Sequence, residues 1–211
     1  MRLGIFGGSF DPVHNGHLEL ARCCQRVAAL DEVWFTPTAV QPLKQHGPRA
    51  SDAQRLAMLE LAIAAEESEP GRPRPRPGWQ ICKLEIDRGG LSYTVDTLGT
   101  IHSERPDDEL FFLMGADAVG DVPHWKHPAE IFRLATPLVV HRAGQPPPDL
   151  STLMRLCTPP HIPRLVDMPA AEISSSDIRR RIAAGEPIDA IVPSPVAHYI
   201  GRQRPYGGPA N

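Results

Sequence analysis

The chain has 211 residues, of which 41% are hydrophobic and 22% charged, the profile of a globular protein with one good core. Its 22 Lys and Arg against 25 Asp and Glu leave a net charge of −3, which offers no basic field to a nucleic-acid backbone and leaves open only a small phosphorylated ligand held by a few local cations. No apolar run approaches the ~20 residues of a bilayer span, no charged-then-apolar leader precedes "MRLGIF", and Cys23, Cys24, Cys82 and Cys157 show no CxxC spacing, so the expectation is a cytoplasmic protein without a membrane partner and with reduced thiols.

"RLGIFGG" (2–8) reads as a buried strand running into a glycine turn. Apolar residues at 18, 20, 21, 24, 27 and 28 then keep a helical period across 16–30, and "EVWFTP" (32–37) is the next strand, stopped by Pro37. An amphipathic helix over 51–68 starts from Ser51 as N-cap. The run "EPGRPRPRPGW" (69–79) alternates Pro with Arg and can build neither ladder nor helix interior. It reads as an extended, solvated loop (69–78 at its most biased), with a proline-rich docking motif as the alternative.

"QICKLEIDR" (80–88) alternates like a strand, 94–104 reads as a helix, and "ELFFLMGAD" (109–117) as an apolar strand ending in a glycine turn. Strands are expected over 136–142 and 161–169, and a Ser-capped helix with a Gly stop over 174–185. Residues 203–211 are expected to form a flexible tail. Strand and helix alternate along one domain, 1–211, which implies an α/β fold: a doubly wound parallel sheet with helices on both faces. Such sheets bind ligands at the carboxyl ends of their strands, where the loops after 7, 37, 115 and 142 gather.

The segment "GGSFDPVHNGH" (7–17) carries more than a turn needs. Gly7 and Gly8 let backbone approach a ligand, and the helix opening at Gly16 presents free N–H groups and a positive dipole end to an anion. His14 and His17 add donors at that same edge. Zn²⁺ ligation by the two imidazoles is the competing reading, but no acidic or thiol partners stand nearby to complete a tetrahedron. At the far end, Ser174, Ser175 and Ser176 present hydroxyls and N–H groups at a second helix start, with Arg179 one turn inside. Arg180 and Arg181 read as surface charges.

"GGSFDPVHNGH" resembles the GxFxPxHxGH motif of the nucleotidylyltransferase superfamily, and "ISSSDIRRRI" (173–182) is similar to its ISST-x-IR motif with Ser176 in place of Thr. Within that superfamily, "FTPTAVQPLK" (35–44), "SYTVDTL" (92–98), "GADAVGDVPHW" (115–125) and the Arg-x-Gly loop at Arg142 resemble the bacterial nicotinate-nucleotide adenylyltransferases. The resemblance implies a Rossmann-like fold and a reaction in NAD biosynthesis: ATP plus nicotinate mononucleotide gives nicotinate adenine dinucleotide and pyrophosphate. It further implies that His14, His17 and Arg179 are catalytic. The ATP site would also include Gly7, Gly8, Ser9, Phe10, Asp117, Ser174, Ser175 and Ser176. Ser9, Lys44, Tyr93, Thr94, Trp125 and Arg142 would take the mononucleotide. Mg²⁺ is expected on the ATP phosphates with few direct protein ligands.

The chemistry of these residues suits the assignment. Trp125 offers a stacking face to a pyridine ring, and the helix opening at Tyr93–Thr94 offers N–H donors to its carboxylate. Asp117, acceptor-only, suits ribose hydroxyls. Phosphopantetheine adenylyltransferases share the two end motifs but not the middle ones. A nicotinamide-preferring enzyme and a catalytically silent nucleotide-binding regulator stay open on the residues alone, as does a homo-oligomer.

Overall fold

The computed structural model of the chain describes residues 1–43, 47–68, 78–170 and 173–207. Six strands build one sheet in the order β3-β2-β1-β4-β5-β6, every pair parallel. They are β1 (Arg2–Gly8), β2 (Glu32–Pro37), β3 (Gly78–Ile81), β4 (Glu109–Gly115), β5 (Thr136–Arg142) and β6 (Arg164–Met168). The helices between them are α1 (Asn15–Ala28), α2 (Asp52–Ser68), α3 (Leu84–Arg88), α4 (Thr94–Glu104), α5 (Pro128–Leu134), α6 (Ser151–Leu156), α7 (Ser175–Ala183) and α8 (Ser194–Gln203). The strand order reverses between β1 and β4, and their carboxyl ends diverge there into a crevice.

The sheet buries both faces because alternate residues of its central strands are apolar. Phe6, Phe111 and Leu113 point into a core shared with α1, α2, α7 and α8. Leu3, Ile5, Leu110, Phe112 and Met114 point into the opposite core, under α4, α5 and α6. Gly4 is forced by this packing, since a Cβ there would come within 2.7 Å of Leu30 Cδ1. Among the described residues no helix is long and apolar enough to cross a membrane.

Several expected boundaries move. The strand expected over 80–88 is a four-residue strand, Gly78–Ile81, followed by the single turn α3. Its partner β2 pairs it only as far as Phe35–Ile81, and beyond that point the chain curls so that Glu85 turns inward, 5% exposed. Gly78 and Trp79, expected in the Pro/Arg loop, belong to β3, where the Trp79 indole donates to Gln25 Oε1 at 3.0 Å; residues 69–77 lie outside the described residues. The strand read in 109–117 ends at its expected glycine turn, Gly115, after which Ala116–His124 form a 3₁₀ segment. The strand expected over 161–169 begins only at Arg164. In the segment expected as a tail, Tyr206 lies against the core, where burial and the adjacent Asp11 push its phenol up, while Gln203, Arg204 and Gly207 are exposed.

Candidate active site

The segment after β1 is held from both sides. Phe10, at φ 45°, folds back under Gly8, whose missing side chain leaves room for the ring: a Cβ would lie 3.1 Å from Phe10 Cζ. Asp11 is 3% exposed, and its carboxylate accepts the backbone N–H groups of Arg49 at 2.8 Å and Ala50 at 3.1 Å. Arg55 of α2, fully buried, donates to the carbonyls of Ser9 and Thr38, each at 2.7 Å, and to Asp52 at 2.6 Å. One guanidinium thus fixes the loops after β1 and β2 relative to each other.

The two imidazoles meet face to face at the start of α1, 3.6 Å between centroids and 22° between planes. His17 Nδ1 accepts the N–H of His14 at 3.3 Å, so a neutral His17 carries its proton on Nε2 and is a donor there. Its ring also meets the edge of Phe10, with centroids 5.0 Å apart. His14 is 6% exposed, and burial, aided by the charge of Arg142, holds its pKa down to about 3. His14 therefore carries no charge at neutral pH.

The second motif closes on the first. Ser174 caps α7 by accepting the N–H of Asp177 at 3.1 Å, and Ser175 Oγ donates to Pro12 O at 3.0 Å. Arg179 donates to Asp11 O at 2.6 Å and to Ser176 Oγ at 3.0 Å, with the Asp11 carboxylate 3.6 Å away. Arg180 and Arg181 both pair with Asp177 instead, at 2.6 and 2.9 Å.

Two cavities adjoin beneath these loops, and Thr38 and Gln41 line both. The first runs from Gly7 and Gly8 to Tyr93, Thr94 and Trp125. Its far end is aromatic: Trp125 stands edge-on to Phe112 at 5.8 Å, and Lys126 reaches back over the Tyr93 ring at 4.6 Å and to Asp96 at 3.0 Å, tying the Trp125 loop to the start of α4. The second is lined by Ser9, Asp11, Arg49 and Arg179 among others.

Of the residues expected at a site, Gly7, Gly8, Tyr93, Thr94 and Trp125 line the first cavity and Ser9 and Arg179 the second, while His14, His17, Arg142 and Ser174, Ser175 and Ser176 line neither. Phe10 is fully buried against Phe6, Phe35 and His17 and supports His17 from within the core; it lines neither cavity. Asp117 lies exposed in the 3₁₀ segment, its carboxylate folded back over Gly115. Lys44 lies outside the described residues. Sequence reasoning missed Arg55, which reads as a solvated charge on an amphipathic helix, and Glu85, hidden in a supposed strand. It also gave no site role to Asp11, whose place inside the first motif was the available signal.

The chain matches the sequence profile of the cytidylyltransferase-like family over residues 5–181. It is 38% identical over 208 residues to a probable nicotinate-nucleotide adenylyltransferase of Rhodopirellula baltica, spanning 97% of this chain and 92% of the relative. It is 38% identical over 200 residues to a protein of the same description from Frankia alni, spanning 95% of this chain and 97% of that one. Among solved structures it resembles Plasmodium falciparum nicotinic acid mononucleotide adenylyltransferase complexed with NaAD, with TM-score 0.79 and 18% identity over 100% of this chain and 99% of the other, a likeness of fold. The chain belongs to the cytidylyltransferase-like family, among its nicotinate-nucleotide adenylyltransferases.

Proposed function

We infer that the chain joins ATP and nicotinate mononucleotide into nicotinate adenine dinucleotide, releasing pyrophosphate. The observation that carries this reading is the pair of adjoining cavities, one aromatic and one lined by arginines, meeting at Thr38 and Gln41 below the start of α1. A mononucleotide with its ring against Trp125 and the opening of α4 would reach with its phosphate toward the arginine-lined end. An oxygen of that phosphate attacks the α-phosphorus of ATP in line, the bond to the bridging oxygen breaks, and pyrophosphate leaves with the electron pair. The attacking phosphate is already ionised near neutrality, so the protein's task is positioning and charge stabilisation rather than proton abstraction.

His17 would supply its Nε2–H to a phosphoryl oxygen at the positive end of the α1 dipole. Arg179, fixed to the first motif through Asp11 O and to its own helix through Ser176, would hold the leaving pyrophosphate. Arg142 lies near enough to His14 to depress its pKa and adds charge on the β5 side.

A Mg²⁺ carried in on the nucleotide fits this lining. Among the described residues no three His, Cys, Asp or Glu side chains gather to hold an ion. Asp11, the acid at the phosphate end, already accepts from two backbone N–H groups and faces Arg179, so phosphate oxygens and water would be the ion's ligands. The ion spreads the charge of the phosphates when bound. Four unpaired cysteines suit a reducing cytoplasmic setting, and every residue invoked belongs to one copy of the chain.

The test offers nicotinate, nicotinamide and pantetheine phosphates separately with ATP and follows pyrophosphate release. Nicotinate mononucleotide should be the best acceptor, ahead of the amide by about tenfold or more in kcat/KM, because a carboxylate accepts from the α4 N–H donors with both oxygens. Faster release with the pantetheine phosphate, or none with either mononucleotide, would overturn the reading.

A further inference from the structure

The aromatic cavity has an acid in its wall. Glu85, on α3, lines it together with Ser92, Tyr93, Thr94 and Thr97 and is 5% exposed. One carboxyl oxygen is held: Oε1 accepts from Thr97 Oγ1 at 2.8 Å, and that hydroxyl in turn accepts from Arg88 at 3.0 Å. The other, Oε2, is buried and has no hydrogen-bond partner among the described residues. An ionised carboxylate left half-satisfied away from water is costly, and it stands beside the N–H groups at the start of α4 that the ring substituent needs.

We propose that Glu85 is a specificity-determining residue of this site, whose carboxyl must carry a proton for the pocket to accept a pyridine carboxylate and whose ionisation turns the pocket toward the amide. The inference rests on the nucleotide-joining reading above. With the proton on, the wall beside the α4 N–H groups is neutral and leaves them free to take the ligand's carboxylate. With the proton off, a negative charge faces that carboxylate in a poorly solvated cavity, whereas an amide NH₂ can turn toward it. Burial raises the Glu85 carboxyl above the usual glutamate range, while the Thr97 hydrogen bond, the nearby Ser92 hydroxyl and the charge of Arg88 pull the other way. The neutral form therefore persists to higher pH than in an exposed glutamate and is lost as pH rises through that raised value.

Other titratable groups face the same space: Arg88 and Cys82 beside Glu85, Tyr93 at the opening of α4, and His124 and Lys126 across the cavity. With these other ionisable side chains at the cavity, the wild-type profile needs variants beside it.

The experiment measures dissociation constants of nicotinate and nicotinamide mononucleotides by quenching of tryptophan fluorescence, from about pH 5.5 to pH 8.5, for the wild type and Glu85→Gln. Both ligands carry the same phosphate, so its titration cancels in the ratio. The wild-type preference for the carboxylate should fall about tenfold or more as pH rises; in Glu85→Gln it should stay high and flat, and in His124→Gln the fall should persist. A flat wild-type ratio overturns the proposal. So does the same fall in Glu85→Gln, and if that variant does not fold, loss of the fall in His124→Gln overturns it. A pH-dependent ratio without turnover would sink the nucleotide-joining reading and leave Glu85 in place; normal turnover with a flat ratio would do the reverse.

Discussion

At the scale of single residues, the two histidines divide their labour by depth. His17 is half-buried with its proton held on Nε2, and His14 is sealed behind it. His17→Ala should therefore lower kcat by about 100-fold or more with a smaller loss in ATP binding, since its donor matters most as charge moves onto the leaving group. Steady-state kinetics with an ATP titration checks this, and near-normal turnover would remove His17 from the chemistry. His14 makes a prediction of another kind. Its unfolded imidazole takes a proton around 6.5, and the folded one resists to about 3, so the unfolded state binds more protons between those values and stability falls as pH drops through that window. Relative to His14→Asn, the wild type should lose about 2 kcal/mol of unfolding free energy between about pH 7 and pH 5, read from urea titrations. The spacing of the two histidines was legible in the sequence because a helix period fixes which residues share an edge. Their depth was not, because it depends on Phe10 folding under Gly8 and on β5 delivering Arg142 alongside.

Elements place these residues, and here the sequence was legible where one element sufficed and misleading where two had to meet. Ser51 as the cap of α2 needs only its own helix, and the cap is present: Gln54 N–H donates to Ser51 Oγ at 3.3 Å, and Ser51 N–H to Gln54 Oε1 at 2.9 Å. Arg55, four residues on, depends on two loops outside α2 and looked like solvent. Arg55→Met should cost about 3 kcal/mol, leaving the Ser9 and Thr38 carbonyls without a donor, and kcat/KM should fall with it. Chemical denaturation beside kinetics separates the two effects. The alternation that suggested a long strand over 80–88 breaks off where the β2–β3 ladder ends at Phe35–Ile81 and the chain turns into α3. The short helices α5, α6 and α8 went unread, although Pro128 and Pro195 mark the starts of two of them. The Trp125 loop is tied to α4 by Lys126, and its indole would present the same face to either pyridine. Trp125→Ala should raise KM for both mononucleotides by a similar factor, leaving their ratio nearly unchanged; loss of one substrate alone would show that Trp125 selects.

On the scale of the whole molecule, parallel topology puts all strand amino ends on one edge and all carboxyl ends on the other. It thereby brings residues 7–17 and 173–182 together across most of the chain's length, with Ser175 on Pro12 O and Arg179 on Asp11 O. That meeting was foreseeable from strand–helix alternation; the hydrogen bonds that lock it were not, because they depend on backbone carbonyls that no residue type reveals. The same geometry bears on the Pro/Arg run at 69–77, which lies outside the described residues but whose attachments are fixed. It leaves α2 after Ser68 and enters β3 at Gly78. Gly78 pairs with Glu32, and Glu32 with Leu3, at the amino ends of their strands. The crevice opens at the carboxyl ends, across the full height of the sheet. Replacing 69–77 by a Gly-Ser link of similar length should leave kcat/KM within about twofold, and shortening it by a few residues should alter stability by less than about 1 kcal/mol, because closure entropy depends weakly on length. Kinetics and thermal unfolding of the folded variant check both. A large loss of activity at unchanged stability would mean that the arginines of this run reach a substrate or a second copy of the chain, and the division of the molecule into a binding edge and a connecting edge would fail.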